Sequence, residues 1–186
     1  MADLLPGARV RDVMLILGGA GFTGLLAQIS VPVYGSPVPV TGQTLAVLLV
    51  GAGLGSWRAF ASLALYLLAG MAGVPWFAGH THGVHLATLG YVIGFVVAAT
   101  AVGALAARGA DRTPLRVVAV MILGNAIIYV FGVGYLMADL HLSLSGAIDI
   151  GLTNYLLGDA VKILAATALL PGAWKLLSPT RGSTEP

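Results

Sequence analysis

Two stretches of this chain, 89–107 and 117–137, are long, apolar and free of charged residues. A helix rises about 1.5 Å per residue, so each stretch would cross most of a hydrocarbon layer about 30 Å thick. The whole chain is 58% hydrophobic and 9% charged, whereas soluble domains carry about a quarter charged residues. The sequence therefore predicts an all-α integral membrane protein whose first partner is the lipid bilayer.

Four further apolar segments complete a prediction of six transmembrane helices. The first runs from 10 to 30, and the sixth runs from 151 to 170, where we expect Pro171 to end the helix. We assign residues 1–177 to a single membrane domain and residues 178–186 to a disordered polar tail.

The two middle segments, 41–55 and 59–73, are shorter than the others and are separated by Ser56, Trp57 and Arg58. Each would be only about 22 Å long as a helix, so we expect two short spans that turn at Arg58. Basic residues favour the cytoplasmic side of a membrane, which places both termini in the cytoplasm. This layout puts eight basic residues on that side: Arg9, Arg11, Arg58, Arg108, Arg112, Arg116, Lys175 and Arg181.

Two connecting stretches are apolar but have no helical pattern. VPVYGSPVPVTGQ at 31–43 contains three prolines and two glycines, and VPWFAGHTHGVHLAT at 74–88 contains no Lys, Arg, Asp or Glu. Non-helical backbone at membrane depth is tolerated only where protein or a cavity covers it. The sequence therefore predicts two outer loops that cap a substrate pocket.

The sixth segment contains an acid and a base within a run that is otherwise apolar. Asp159 and Lys162 are three residues apart, so a helix places them on one face. Each costs roughly 2.5–3.5 kcal/mol near the middle of a membrane helix and therefore needs a partner. Helix rise puts Asn125 and Tyr129 at about the same depth, and Gly158 would let a ligand approach the backbone. We predict a polar ligand site in this layer.

Other interpretations of these residues stay open. Asp159 and Lys162 are also consistent with a structural ion pair, or with the acid and base of a membrane enzyme, although no nucleophile is evident beside them. His80, His82 and His85 form H-x-H-x-x-H, which would suit a nickel or cobalt permease. For Gln43, Tyr91 and Tyr129, taken singly, an interhelical hydrogen bond is the simpler role. We expect no cofactor, no resident metal and no nucleic-acid partner.

Several segments together resemble a known family. LLAQISVPVYGSPVPVTGQTLAVLLVGAGLG, ALYLLAGMAGVPWFAG, LGYVIGF, IIYVFGVGYL and LLGDAVKILAATAL resemble, in order and spacing, the biotin-specific S component of energy-coupling factor (ECF) transporters, the BioY family. The loop P-V-P-V-T-G-Q-T and the segment G-D-x-x-K are the most specific parts. The resemblance implies a transport subunit in a prokaryotic cell membrane, which captures biotin and is not an enzyme.

The resemblance also implies roles for individual residues. Asp159, with Asn125, would accept the ureido N–H groups of biotin, and Lys162 would donate to the ureido oxygen. The remaining ligand-binding positions are Tyr129, Gln43, Val38, Val40, Phe77, Gly79, Gly90, Tyr91 and Gly158.

The resemblance implies partners as well as a ligand. Small residues of the first helix, namely Gly18, Ala20 and Gly24, would contact a transmembrane coupling (T) protein that sits on two cytoplasmic ATPases of the ABC type. A homo-oligomer is the alternative to that assembly.

The sequence departs from the family pattern at two places. The run AGHTHGVHLAT after Phe77 stands where a more glycine-rich run is expected, which leaves the contacts of Gly79 to Thr88 undefined. Asn154 and Tyr155 stand where the family tends to be more apolar and to contain proline.

Overall fold

The computed structural model describes residues 8–177, so the predicted tail at 178–186 lies outside the described residues. The helices, in chain order, are α1 (Ala8–Ala27), α2 (Gln43–Leu54), α3 (Ser56–Met71), α4 (Leu89–Ala107), α5 (Pro114–Asp139), α6 (Leu144–Gly151) and α7 (Leu156–Leu177). Two short strands, β1 (Ser30–Val31) and β2 (Val40–Thr41), pair antiparallel between α1 and α2, with Ser30 opposite Thr41. Short 3₁₀ turns occupy Ala78–His80 and Thr153–Tyr155.

Six of these helices, α1 to α5 and α7, form the bundle, which confirms the prediction of a six-helix membrane fold. By length and composition, three segments in the described part of the chain are long and apolar enough to cross a bilayer: Arg9–Ala27, Leu89–Ala107 and Pro114–Asp139. The chain is therefore a multi-pass membrane protein.

Helix α4 is at the centre of the bundle and packs against α2, α3 and α5, while α1 covers α3 and α7 packs on α5 and α2. Its inward face consists largely of glycine and alanine, so neighbouring backbones approach closely, as is typical of helix contacts in lipid. At Gly51 of α2, an added side-chain carbon would lie 2.7 Å from the carbonyl oxygen of Ala99. The contact between α2 and α4 therefore requires glycine at position 51.

The turn between the two short helices lies at Gly55, with φ +79°, and not at the predicted Arg58. Arg58 belongs to the first turn of α3, where its Nε donates to Asp12 Oδ1 of α1 at 2.9 Å. The basic residue thus ties the start of α3 to α1.

The connection before the last helix also differs from the prediction. Residues Leu144–Gly151 form α6, and the hydroxyl of Ser143 caps it by accepting from the Gly146 N–H at 3.3 Å. The last long helix consequently begins at Leu156, and it continues through Pro171 to Leu177. Proline is tolerated inside membrane helices because neighbouring groups can satisfy the backbone that it leaves unpaired.

Two loops lie at the same end of the bundle: the first loop (28–42) joins α1 to α2, and the second loop (72–88) joins α3 to α4. Gln28 fastens one to the other. Its Nε2 donates to the carbonyl oxygens of Trp76 and Phe77, each at 3.2 Å, and its Oε1 accepts from the His80 N–H at 3.1 Å. The end of α1 therefore holds the second loop in place.

The small residues of α1 do not share one outward face. Ala20 is 1% exposed, and a side-chain carbon at Gly24 would lie 3.4 Å from the Trp76 side chain. A side-chain carbon at Gly18 would meet no atom within 4 Å. Gly18 therefore lies on an open face, while Ala20 and Gly24 pack inside their own chain.

The packing of α4 generates a stability prediction. Gly51→Ala should lower the thermal unfolding temperature in detergent, because overpacking costs about 1–3 kcal/mol. Gly53→Ala in the same helix is the control, since nothing lies within 4 Å of its added carbon and alanine favours helix by up to about 1 kcal/mol. Equal unfolding temperatures of the two variants would show that the α2–α4 contact is not tight.

Candidate ligand-binding site

A pocket lies inside the bundle beneath the two loops and contains about 560 Å³ of atom-free space, part of which is open to the outside. Its wall is mostly apolar, with a polar cluster on the side of α7. The lining residues are Val38, Pro39, Thr41, Gln43, Thr44, Phe77, Ala78, Thr88, Tyr91, Val92, Phe95, Ile128, Tyr129, Tyr155, Asp159 and Lys162.

Asp159 and Lys162 form an ion pair on this wall. Lys162 Nζ lies 3.3 Å from Asp159 Oδ1 and donates to the hydroxyl of Thr44 on α2 at 2.8 Å. The other carboxylate oxygen, Oδ2, accepts from the hydroxyl of Tyr129 on α5. Asp159 is 4% exposed and the Lys162 side chain is 16% exposed, so both charged groups lie inside the bundle. The network joins α2, α5 and α7 around one side of the pocket.

Tyrosine and phenylalanine rings form the opposite, apolar part of the wall. The Tyr91 hydroxyl donates to the carbonyl oxygen of Gly151 at 2.7 Å, and its ring meets the Tyr129 ring edge-on at 6.4 Å between centroids. A side chain at Gly132 would come within 2.3 Å of the Tyr91 ring. Tyr91 therefore has one hydrogen-bonded orientation, with its ring packed against the α5 backbone.

Gln43 and Phe77 border the pocket beside Tyr66. Gln43 Nε2 donates to the Tyr66 hydroxyl at 2.8 Å, and Gln43 Oε1 accepts from the Thr41 hydroxyl at 2.9 Å. Phe77 is 1% exposed and contacts the Tyr66 ring edge-on at 5.3 Å. The side chain of Gln43 is thus already hydrogen-bonded within the chain, and Phe77 supplies a fixed apolar surface.

The structure brings seven of the predicted ligand-binding residues together on the pocket wall: Asp159, Lys162, Tyr129, Gln43, Val38, Phe77 and Tyr91. It places the other five elsewhere.

Four of those five residues pack beside the pocket. Val40 and Gly158 face each other, since a side-chain carbon at Gly158 would lie 3.5 Å from Val40 Cγ1. Gly90 faces α5, where an added carbon would lie 2.2 Å from Tyr135 Cβ. Gly79, with φ +65°, borders a separate cleft between the two loops. None of these four is among the residues that line the pocket.

Asn125 lines a neighbouring groove between α5, α6 and α7, which also includes Tyr129 and Asp159. It is 7% exposed, and its Oδ1 has no hydrogen-bond partner among the described residues. Asn125 therefore borders the groove and is not among the residues that line the pocket.

Sequence reasoning missed several lining residues. Phe95 is four residues after Tyr91 in α4, so helical spacing was a usable signal for it. Val92 and Ile128 are adjacent in sequence to Tyr91 and Tyr129, a spacing that does not indicate a shared face. Thr44 lies 118 residues from Lys162, and no local pattern predicts that contact.

The histidine motif does not form a metal site in this structure. His80, His82 and His85 are all exposed, and among residues 8–177 no group of three His, Cys, Asp or Glu side chains is arranged to hold a metal ion. The metal-permease interpretation therefore has no support.

Fold and site together define a class: a multi-pass membrane protein with a pocket inside its helix bundle and an ion pair on the pocket wall. The BioY family model matches residues 1–179. The chain belongs to the BioY family.

The curated relatives include the "Probable biotin transporter BioY" of Pyrococcus horikoshii, which is 32% identical over 87% of this chain and 94% of its own length. The protein of the same name from Lysinibacillus sphaericus is 30% identical over 96% and 94% of the two chains. Among solved structures, the S component for biotin from an ECF-type ABC transporter covers 92% of this chain and 95% of its own, with TM-score 0.81 and 17% identity. At that identity the match shows a shared fold.

The network around Asp159 generates a second stability prediction. Tyr129→Phe should lower the free energy of unfolding by about 1–3 kcal/mol, because a buried carboxylate oxygen loses its donor. Tyr135→Phe in the same helix is the matched control, because no hydrogen bond of the Tyr135 hydroxyl is found within residues 8–177. Thermal or denaturant unfolding in detergent measures both, and equal stability would mean that the carboxylate does not depend on Tyr129.

Proposed function

We propose that this chain captures biotin and carries it across the cell membrane as the S component of an ECF transporter, and that it is not an enzyme. The observation that carries this proposal is the buried Asp159–Lys162 pair on the wall of an otherwise apolar pocket. The curated relatives are named as biotin transporters, and the structural match is an S component for biotin.

The chemistry of the site suits the ureido ring of biotin, which has two N–H donors and one accepting oxygen. Asp159 is an acceptor for an N–H group, and Lys162 is a cationic donor for the oxygen. Tyr129 and Thr44 hold these two side chains in position, which reduces the ordering cost of binding. Asn125 lies in the neighbouring groove, so we assign it no direct contact.

The apolar wall suits the rest of the ligand. Phe77, Tyr91 and Phe95 would contact the thioether ring, and Val38 of the first loop would lie over the valeryl chain. Lys162 is the one Lys or Arg on the pocket wall, and a carboxylate beside Asp159 would be repelled. We therefore orient biotin with its ureido ring at the ion pair and its carboxylate toward the loops.

Transport also requires partner proteins. We propose that the chain assembles with a transmembrane coupling protein carried by two cytoplasmic ATPases. The open face of α1 around Gly18 and Gly21 would let a partner helix approach, because added carbons there meet nothing within 4 Å.

Calorimetric titration of the purified chain with biotin and desthiobiotin tests the function. We expect a dissociation constant in the nanomolar range for biotin, which corresponds to about −12 kcal/mol. Desthiobiotin keeps the ureido ring and should still bind, but more weakly because it lacks the thioether ring. Absence of heat with either compound, in protein shown to be folded, would contradict the proposal.

The ion pair gives a mutational prediction. Asp159→Asn should weaken biotin binding more than tenfold, since the amide replaces a charged acceptor by a neutral one. Asp149→Asn is the control, because Asp149 is exposed and lies outside the pocket. Full affinity in Asp159→Asn would remove this residue from the site, whereas equal losses in both variants would indicate a nonspecific effect of charge.

A further inference from the structure

The α6–α7 junction meets the first loop at Tyr155. Tyr155 ends the 3₁₀ turn Thr153–Tyr155, is 6% exposed and lines the ligand pocket. A position on the pocket wall does not by itself account for the contacts that its hydroxyl group makes.

That hydroxyl bonds to groups on both sides of the pocket mouth. It donates to the Val38 carbonyl oxygen of the first loop and lies 2.7 Å from the hydroxyl of Ser36. Ser36 Oγ in turn donates to the carbonyl oxygen of Ile150 in α6 at 2.7 Å and accepts from the Val38 N–H at 3.1 Å. We call these contacts between Tyr155, Ser36, Val38 and Ile150 the latch.

The latch fastens the part of the first loop that covers the pocket. Val38 and Pro39 line the pocket, and Val38 is 7% exposed. The strand pair β1–β2 anchors the base of the loop, while the tip residue Tyr34 is fully exposed. The segment between tip and base is thus held across the pocket by hydrogen bonds to α6 and to the α6–α7 junction.

We infer that Tyr155 is a positioning residue whose latch keeps the first loop closed over the pocket and thereby sets how fast a ligand enters and leaves. The part of this inference that concerns biotin rests on the proposed function. The closure of the loop does not, and it can be measured without ligand.

The chain has no cysteine, so a single introduced thiol reports on the loop. Val38→Cys places the thiol on the side of the first loop that faces the pocket. A water-soluble maleimide can therefore react with it only when the loop opens. In unliganded protein, adding Tyr155→Phe should speed this labelling roughly two- to tenfold, the factor for one lost hydrogen bond. Adding Ser36→Ala should also speed the labelling, and the two together should exceed either alone, because Tyr155 bonds to the Val38 carbonyl oxygen and Ser36 bonds to that of Ile150.

Two controls isolate the latch. Asn154→Ala should leave the labelling rate of the cysteine at position 38 unchanged, since Asn154 is exposed and its side chain bonds, among residues 8–177, only to the Asp149 carbonyl oxygen. In Tyr34→Cys, the exposed tip position should label equally fast with and without Tyr155→Phe. A position-38 labelling rate that neither Tyr155→Phe nor Ser36→Ala changes would overturn the inference.

Binding kinetics add a second readout. If biotin binds, Tyr155→Phe should increase both its association and its dissociation rates, because a loop that opens more often admits and releases ligand faster. A change in dissociation alone would mean that Tyr155 is only a ligand contact and would contradict the latch. If biotin does not bind the parent chain, the proposed function fails while the labelling result still decides the closure of the loop.

Discussion

The burial of an acid and a base inside a membrane bundle is the constraint on which the rest of this structure depends. Each charge alone would be costly in hydrocarbon, and the chain meets that cost with partners on two other helices. Thr44 on α2 accepts a hydrogen bond from Lys162, and Tyr129 on α5 donates one to Asp159. The helix that holds the pair is thereby fixed in rotation and depth against its neighbours, and the pocket wall is fixed with it.

A network that its own chain already holds in position suits a binding protein better than a catalyst. The groups are held by their own chain before any ligand arrives, so little reorganisation is needed when a polar ring docks beside them. The apolar remainder of the wall adds surface to bury and excludes water, which strengthens each polar contact. The geometry therefore favours tight capture of an intact molecule, in agreement with the named function of the curated relatives.

Sequence reasoning predicted the helices and the ion pair because both follow from local rules. Hydropathy identifies long apolar helices, and spacing along a helix places Asp159, Lys162 and Tyr129 on their faces. Depth alone does not give the rotation of one helix against another, and Asn125, predicted for the ligand-binding layer, lines the neighbouring groove. Helix α6 was missed because it is short, and Pro171 was expected to end a helix that continues past it.

Local sequence patterns do not predict contacts between distant parts of the chain. The two loops were predicted as irregular and apolar, but the fastening of the second loop by Gln28 depends on the position at which α1 ends. The same holds for Gly90. A glycine would leave room for a ligand, but in this structure α5 packs against that position of α4.

The groove between α5, α6 and α7 has a further consequence. It shares Tyr129 and Asp159 with the pocket, so these two side chains form part of the wall between the two concavities. An acyl chain or detergent tail seated in the groove would contact the same residues that face the ligand. The amphiphile that surrounds the purified chain is therefore a variable of any binding measurement.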